Sequence, residues 1–120
     1  MSTLITANVS DGTDTVGTEY VVHGSAKAWC NFKGDPVAVV TSLNVSSVTD
    51  GAVGFFTVNF VNSFSEDHNS TGTRWNRDSN NNCMESFQNA NLTNQQIVTF
   101  ENGATADPIR MRMVSHGDLA

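Results

Sequence analysis

Hydrophobic and polar residues alternate with a period of two along several short segments of the chain. In residues 24–34, Ala28, Cys30 and Phe32 occupy one set of positions, and Lys27, Trp29, Asn31 and Lys33 the other. Successive side chains of a strand point to opposite faces, so this segment is predicted to bury the first set and present the second outward. Residues 55–61 repeat the pattern, with Phe56, Val58 and Phe60 on one face and Thr57 and Asn59 on the other. Residues 109–114 predict a last strand with Ile109, Met111 and Met113 inward and Arg110 and Arg112 outward. β-Branched and aromatic content adds a strand, or a pair of short strands, over 37–45, another over 95–100 and a short one near 71–75.

Turn residues separate these segments: Gly34-Asp35-Pro36, Asp50-Gly51 with Gly54, and Asn102-Gly103. Tyr20-Val21-Val22-His23 is predicted to run extended into the Trp29 strand, with a kink at Gly24. Residues 65–90 lose the alternation. They predict an exposed loop over 66–91, with at most a single helical turn at 84–87. Residues 1–22 have too few apolar positions to form a core and are predicted to be an extended docking arm. No segment sustains an apolar period of 3.6. The fold class is therefore all-β, an antiparallel β-sandwich of jelly-roll-like type over residues 23–120.

Composition narrows the function. A chain of 120 residues is one domain. Six Lys and Arg stand against 12 Asp and Glu, a formal net charge of -6, which argues against nucleic acid and anionic membranes as partners. Only 15% of residues are charged, lower than is usual for enzymes, so the surface is expected to consist mainly of Asn, Ser and Thr. The N-terminus has no signal-peptide pattern, and no apolar run approaches a membrane span. The triplets at Asn8, Asn44, Asn69 and Asn91 are accordingly read as products of composition rather than glycosylation sites. Cys30, in an apolar stripe, is read as a small buried hydrophobe, and Cys83 as a free thiol.

Candidate chemistry is sparse. Glu66, Asp67, His68 and Asp78 lack the spacing of a calcium loop, and His23, His68 and His116 are too scattered for zinc. No metal or cofactor is expected. Asp35, Asp50 and Glu101 sit in predicted turns, and no nucleophile motif is present, so no enzymatic activity is expected. The binding candidates are Arg74, Trp75, Asn76, Arg77 and Asp78. There Trp75 either stacks on a sugar ring while its neighbours hydrogen-bond, or packs under its own loop or in a subunit interface. Lys27, Trp29, Phe32, Phe56, Val58 and Phe60 are expected to make core or subunit contacts.

The runs Val22-His-Gly-Ser-Ala-Lys-Ala-Trp-Cys-Asn-Phe32, Leu43-Asn-Val-Ser-Ser-Val-Thr-Asp50 and Phe56-Thr-Val-Asn-Phe60, with the ending His116-Gly-Asp-Leu-Ala120, carry a family likeness. They resemble a small β domain of tail-fibre-like proteins of marine and cyanobacterial bacteriophages. Cys30, residues 33–36 and His116 depart from that pattern, and residues 68–94 match it poorly. The resemblance implies a β-sandwich in a virion, working as a homotrimer, with residues 1–22 bound to other virion proteins. It implies a tail-fibre component touching a host glycan or protein. The alternative expectation is a decoration protein that stabilises capsid or tail.

Overall fold

The computed structural model describes residues 1–66, 70–76 and 83–120, with the backbone alone at residues 70, 75, 76, 83 and 90. The chain opens with a small hairpin of β1 (Asn8–Ser10) and β2 (Thr15–Gly17), followed by a short helix α1 (Thr18–Gly24). Then come β3 (Ala26–Gly34), β4 (Val37–Leu43), β5 (Val45–Ala52) and β6 (Phe55–Phe60). The rest is β7 (Ser70–Asn76), β8 (Cys83–Ala90), β9 (Asn94–Glu101), β10 (Ala104–Thr105) and β11 (Arg110–His116).

Two antiparallel sheets face each other. The first runs β4-β3-β11-β7; the second runs β5-β6-β9, with β8 on the far edge of β9 and β10 continuing the line of β6. The alternation in β3 holds as expected: Ala28, Cys30 and Phe32 are buried, while Lys27, Trp29 and Asn31 are half-buried and Lys33 is exposed. Phe56, Val58 and Phe60 are buried on β6, Met111 and Met113 on β11, and Ile97 on β9. These side chains form one core between the sheets. Phe32 of one sheet meets Phe56 of the other with ring centroids 5.4 Å apart, and Phe64 packs edge-on against Phe60 at 5.0 Å. Full burial of such a side chain contributes about 1.5–3 kcal/mol, so this cluster is the main source of stability.

The sandwich is closed by residues that let the chain change sheets. β4 belongs to the first sheet and β5 to the second, and the single residue between them, Asn44, adopts a left-handed φ of 56°. Asn is one of the few residues that accept this conformation. Its Oδ1 accepts the Asn62 backbone N–H at 2.7 Å, and its Nδ2 donates to the Asn62 carbonyl at 3.1 Å. The corner is thereby tied to the end of β6. At the β5–β6 turn Gly54 has φ 76°, and a Cβ there would lie 2.6 Å from the Thr99 carbonyl oxygen. Thr99 Oγ1 is buried and donates to the Ala106 carbonyl at 2.6 Å, which holds the segment after β9 over this turn.

The structure corrects several expectations. Residues 18–24 are helical rather than extended: they pair with no strand, and the helical turn satisfies backbone groups within the segment itself. Glu19 in the first turn and His23 in the last suit the helix dipole. Residues 83–90 form strand β8, not a loop with a helical turn. As an edge strand, β8 exposes Met84, Glu85, Ser86, Phe87, Gln88 and Asn89, so its sequence carries no burial pattern. Asn91 Oδ1 closes the β8–β9 hairpin by accepting the N–H groups of Thr93 and Asn94 at 3.0 and 2.9 Å. Asp50-Gly51 lies inside β5 at a bulge, and the turn follows at Gly54. Ile109 precedes β11 and is exposed rather than inward.

Two outcomes follow. Asn44→Ala is expected to lower unfolding free energy by about 1–2 kcal/mol through lost hydrogen bonds and a disfavoured φ, and Asn44→Gly by less, both read from urea denaturation. Burial raises the Cys30 thiol from 9.0 to about 11. The unfolded chain therefore loses this proton first, and stability should fall as pH rises from about 9 towards about 11. In a Cys83→Ser background, Cys30 should react with a thiol reagent at pH 8 about 100-fold more slowly folded than in urea, since the thiolate is the reactive form.

Candidate functional site

The inward set on each strand of the first sheet decides what the outer face presents. With Ala28, Cys30 and Phe32 inside, β3 presents Lys27, Trp29, Asn31 and Lys33 outward. With Met111, Met113 and Ser115 inside, β11 presents Arg110, Arg112 and Val114. β7 adds Gly72 and Arg74, which lie opposite Val114 and Arg112. Five of the six Lys and Arg of the chain therefore share one face, and the sixth, Arg77, lies outside the described residues.

No carboxylate dilutes this charge within the sheet. β3, β4, β7 and β11 contain no Asp or Glu, whereas strands of the second sheet carry Asp50, Glu85 and Glu101 and no Lys or Arg. A chain with net charge -6 thus has one sheet whose strands carry only positive formal charge. Among the described residues His23 Nδ1 lies within hydrogen-bond distance of Asp118 Oδ1, at 2.7 Å, and none of the five Lys and Arg forms an ion pair. Lys27 Nζ donates instead to the Val22 carbonyl and to Ser25 Oγ, fastening the end of α1 to β3.

Register arranges the face in rows across the strands. One row runs Leu43, Trp29, Val114, Gly72; the next runs Thr41, Asn31, Arg112, Arg74. The first is apolar, with Trp29 half-buried between Leu43 and Val114. The second sets Arg112 directly opposite Arg74, a like-charge pair that costs free energy in a sheet. Beside this pair, Asn31 Oδ1 is buried without a hydrogen-bond partner among the described residues. Gly72, Thr73, Arg74, Arg112, Met113 and Val114 line a shallow, open recess of about 330 Å³. Two guanidinium groups over an apolar floor can receive an anionic group in bidentate fashion.

The sequence candidates divide on the structure. Arg74 is exposed on this face, Trp75 takes the register position opposite Met111 and Asn76 that opposite Arg110, while Arg77 and Asp78 lie outside the described residues. Lys27 and Trp29 join the face, whereas Phe32, Phe56, Val58 and Phe60 lie in the core. Arg112, Val114 and Gly72 were absent from the candidates. Arg110 and Arg112 stood out as outward positions, but their meeting with Arg74 depends on the β11–β7 pairing.

Other chemistry is more scattered. Asp35 is in the β3–β4 turn, and Asp50 and Glu101 sit on strands flanking opposite edges of β6. Among the described residues no group of three or more His, Cys, Asp or Glu comes together, and no helix is long and apolar enough to cross a membrane. His68 and Asp67 lie outside the described residues. A second recess, of about 340 Å³, lies on the outer face of the other sheet among Phe55, Thr57, Gln88, Gln96 and Val98, and no charged side chain lines it. Comparison with protein-family models, curated proteins and solved structures gives no match.

If Arg74 and Arg112 repel as their register implies, Arg112→Gln should raise stability by a few tenths of a kcal/mol at low ionic strength. The gain should disappear by about 1 M salt, where the screening length falls to about 3 Å. Thermal melts at both salt concentrations would check this.

Proposed function

We propose that this chain is a non-enzymatic bacteriophage virion protein, a tail-fibre or appendage component that contacts an anionic host surface through the outer face of the first sheet. The observation that carries this reading is the gathering of Lys27, Lys33, Arg74, Arg110 and Arg112, with Trp29, on the outer face of a sheet whose strands carry no Asp or Glu. Such a face costs free energy through self-repulsion, and an anionic partner offsets that cost. The virion assignment draws on the resemblance of residues 20–64 and the C-terminal residues to tail-fibre-like domains.

Assembly in this reading is homotrimeric, with residues 1–22 held by other virion proteins. The arm suits that role: Leu4, Ile5, Val9, Val16 and Tyr20 are exposed, and α1 buries none of its residues. Those apolar residues also favour a second reading, a decoration protein whose arm anchors it to capsid or tail without receptor contact.

Immunogold electron microscopy separates the two. Label on tails or fibres is expected for the appendage, label over heads for decoration, and unlabelled virions would remove both. For the appendage, replacing Lys27, Lys33 and Arg110 by Glu should cut adsorption of the purified protein to host cells at least about tenfold at low salt, because surface charge governs encounter with an oppositely charged partner. Adsorption unchanged by these substitutions and by salt would overturn the basic-face reading.

A further inference from the structure

The geometry points to a specific site within this face: the recess at Gly72 binds the carboxylate-bearing ring of an acidic saccharide, with Arg74 and Arg112 as the carboxylate clamp. The inference rests on the anionic-surface reading above and names its ligand class.

Gly72 is the first argument. Glycine inside a strand weakens it and usually marks a bulge, a bend or a close approach. None of these applies here. Gly72 lies in unbroken register between β7 and β11, does not adopt a left-handed φ, and among the described residues a Cβ there would meet only Val114 Cγ1, at an ordinary 3.6 Å. The fold has room for a side chain at this position, so what glycine provides is the recess itself.

The second argument is the clamp. Arg74 and Arg112 occupy directly paired positions on the recess wall, repel each other, and form no ion pair among the described residues. Two adjacent guanidinium groups match a planar carboxylate, which accepts two parallel N–H bonds. An anion between them also removes the repulsion.

The third argument selects a saccharide. The recess opens onto the row Gly72, Val114, Trp29, which spans two inter-strand spacings, about 10 Å. This strip is apolar and ends in an aromatic ring, a surface suited to the C–H face of a sugar. The clamp lies in the adjacent row, where a carboxylate on the ring edge would fall. A phosphate chain would satisfy the arginines but leave the apolar strip unused.

The test uses the full chain and a uronate-only oligosaccharide, with a neutral glucan of equal length and an inorganic polyphosphate as comparators, read by calorimetry or NMR titration. The uronate should bind in preference to both. Gly72→Thr should leave the melting temperature unchanged or higher and weaken uronate binding at least about tenfold. Arg112→Gln should do likewise, and Arg112→Lys, which keeps charge but not the fork, should fall between. Uronate binding insensitive to Gly72→Thr would overturn the recess while leaving the basic-face reading intact. Polyphosphate binding equal to or tighter than uronate would overturn the saccharide assignment. Absence of binding to either polyanion would overturn the site and the basic-face reading together. If Gly72→Thr unfolds, Gly72→Ala, whose added methyl sits at ordinary contact distance, carries the same comparison.

Discussion

The contact between Phe32 and Phe56 joins the two sheets, and most of the molecule follows from it. Because side chains alternate along a strand, placing Phe32 inside also places Ala28 and Cys30 inside and turns Lys27, Trp29, Asn31 and Lys33 outward. A one-residue slip would bury two lysines and expose the core, so burial and presentation are specified together. The same holds on β11, where Met111 and Met113 are inward and Arg112 is outward. The basic face is therefore a consequence of the core's register as much as of its own residues.

Closing two sheets over such a core requires sharp changes of direction, and polar residues supply them. Asn44 passes the chain from one sheet to the other and bonds to Asn62 across the corner. Thr99, buried beneath the Gly54 turn, spends its hydroxyl on the Ala106 carbonyl. The abundance of Asn and Thr, which first reads as surface composition, includes several side chains that serve as internal ties. Asn44 and Asn91 each satisfy backbone groups at a turn, which is a physical reason for their presence independent of any modification.

Net charge conceals the most distinctive property of the surface. The acidic side chains are absent from the strands of the first sheet, and five of the six Lys and Arg are on its outer face, so the molecule is polarised rather than uniformly acidic. Such a distribution orients a protein towards an anionic partner while the acidic remainder resists non-specific attachment. The expectation drawn from a net charge of -6 concerned the average; the strands that carry Arg74 and Arg112 hold only Lys and Arg among their charged residues.

What the sequence alone determined is everything that depends on neighbours along the chain. Period-two alternation identified β3, β6 and β11 and most of the core, since a pleated strand sorts its side chains without reference to any partner. Asn102 and Gly103 identified their turn because both adopt positive φ. Cys30 was legible as buried from its stripe. The tertiary structure decided what depends on partners. Residues 18–24 form a helix that buries none of its side chains, so no apolar stripe announces it, and residues 83–90 became a strand because β9 offered an edge, although their exposed side chains show no pattern. The site belongs to the second category: Arg74 and Arg112 are 38 positions apart (112 − 74) and meet only because β7 and β11 are paired. Strand pairing is a long-range choice made by backbone hydrogen bonds and by the core, and a one-dimensional pattern of apolar and polar residues does not encode it.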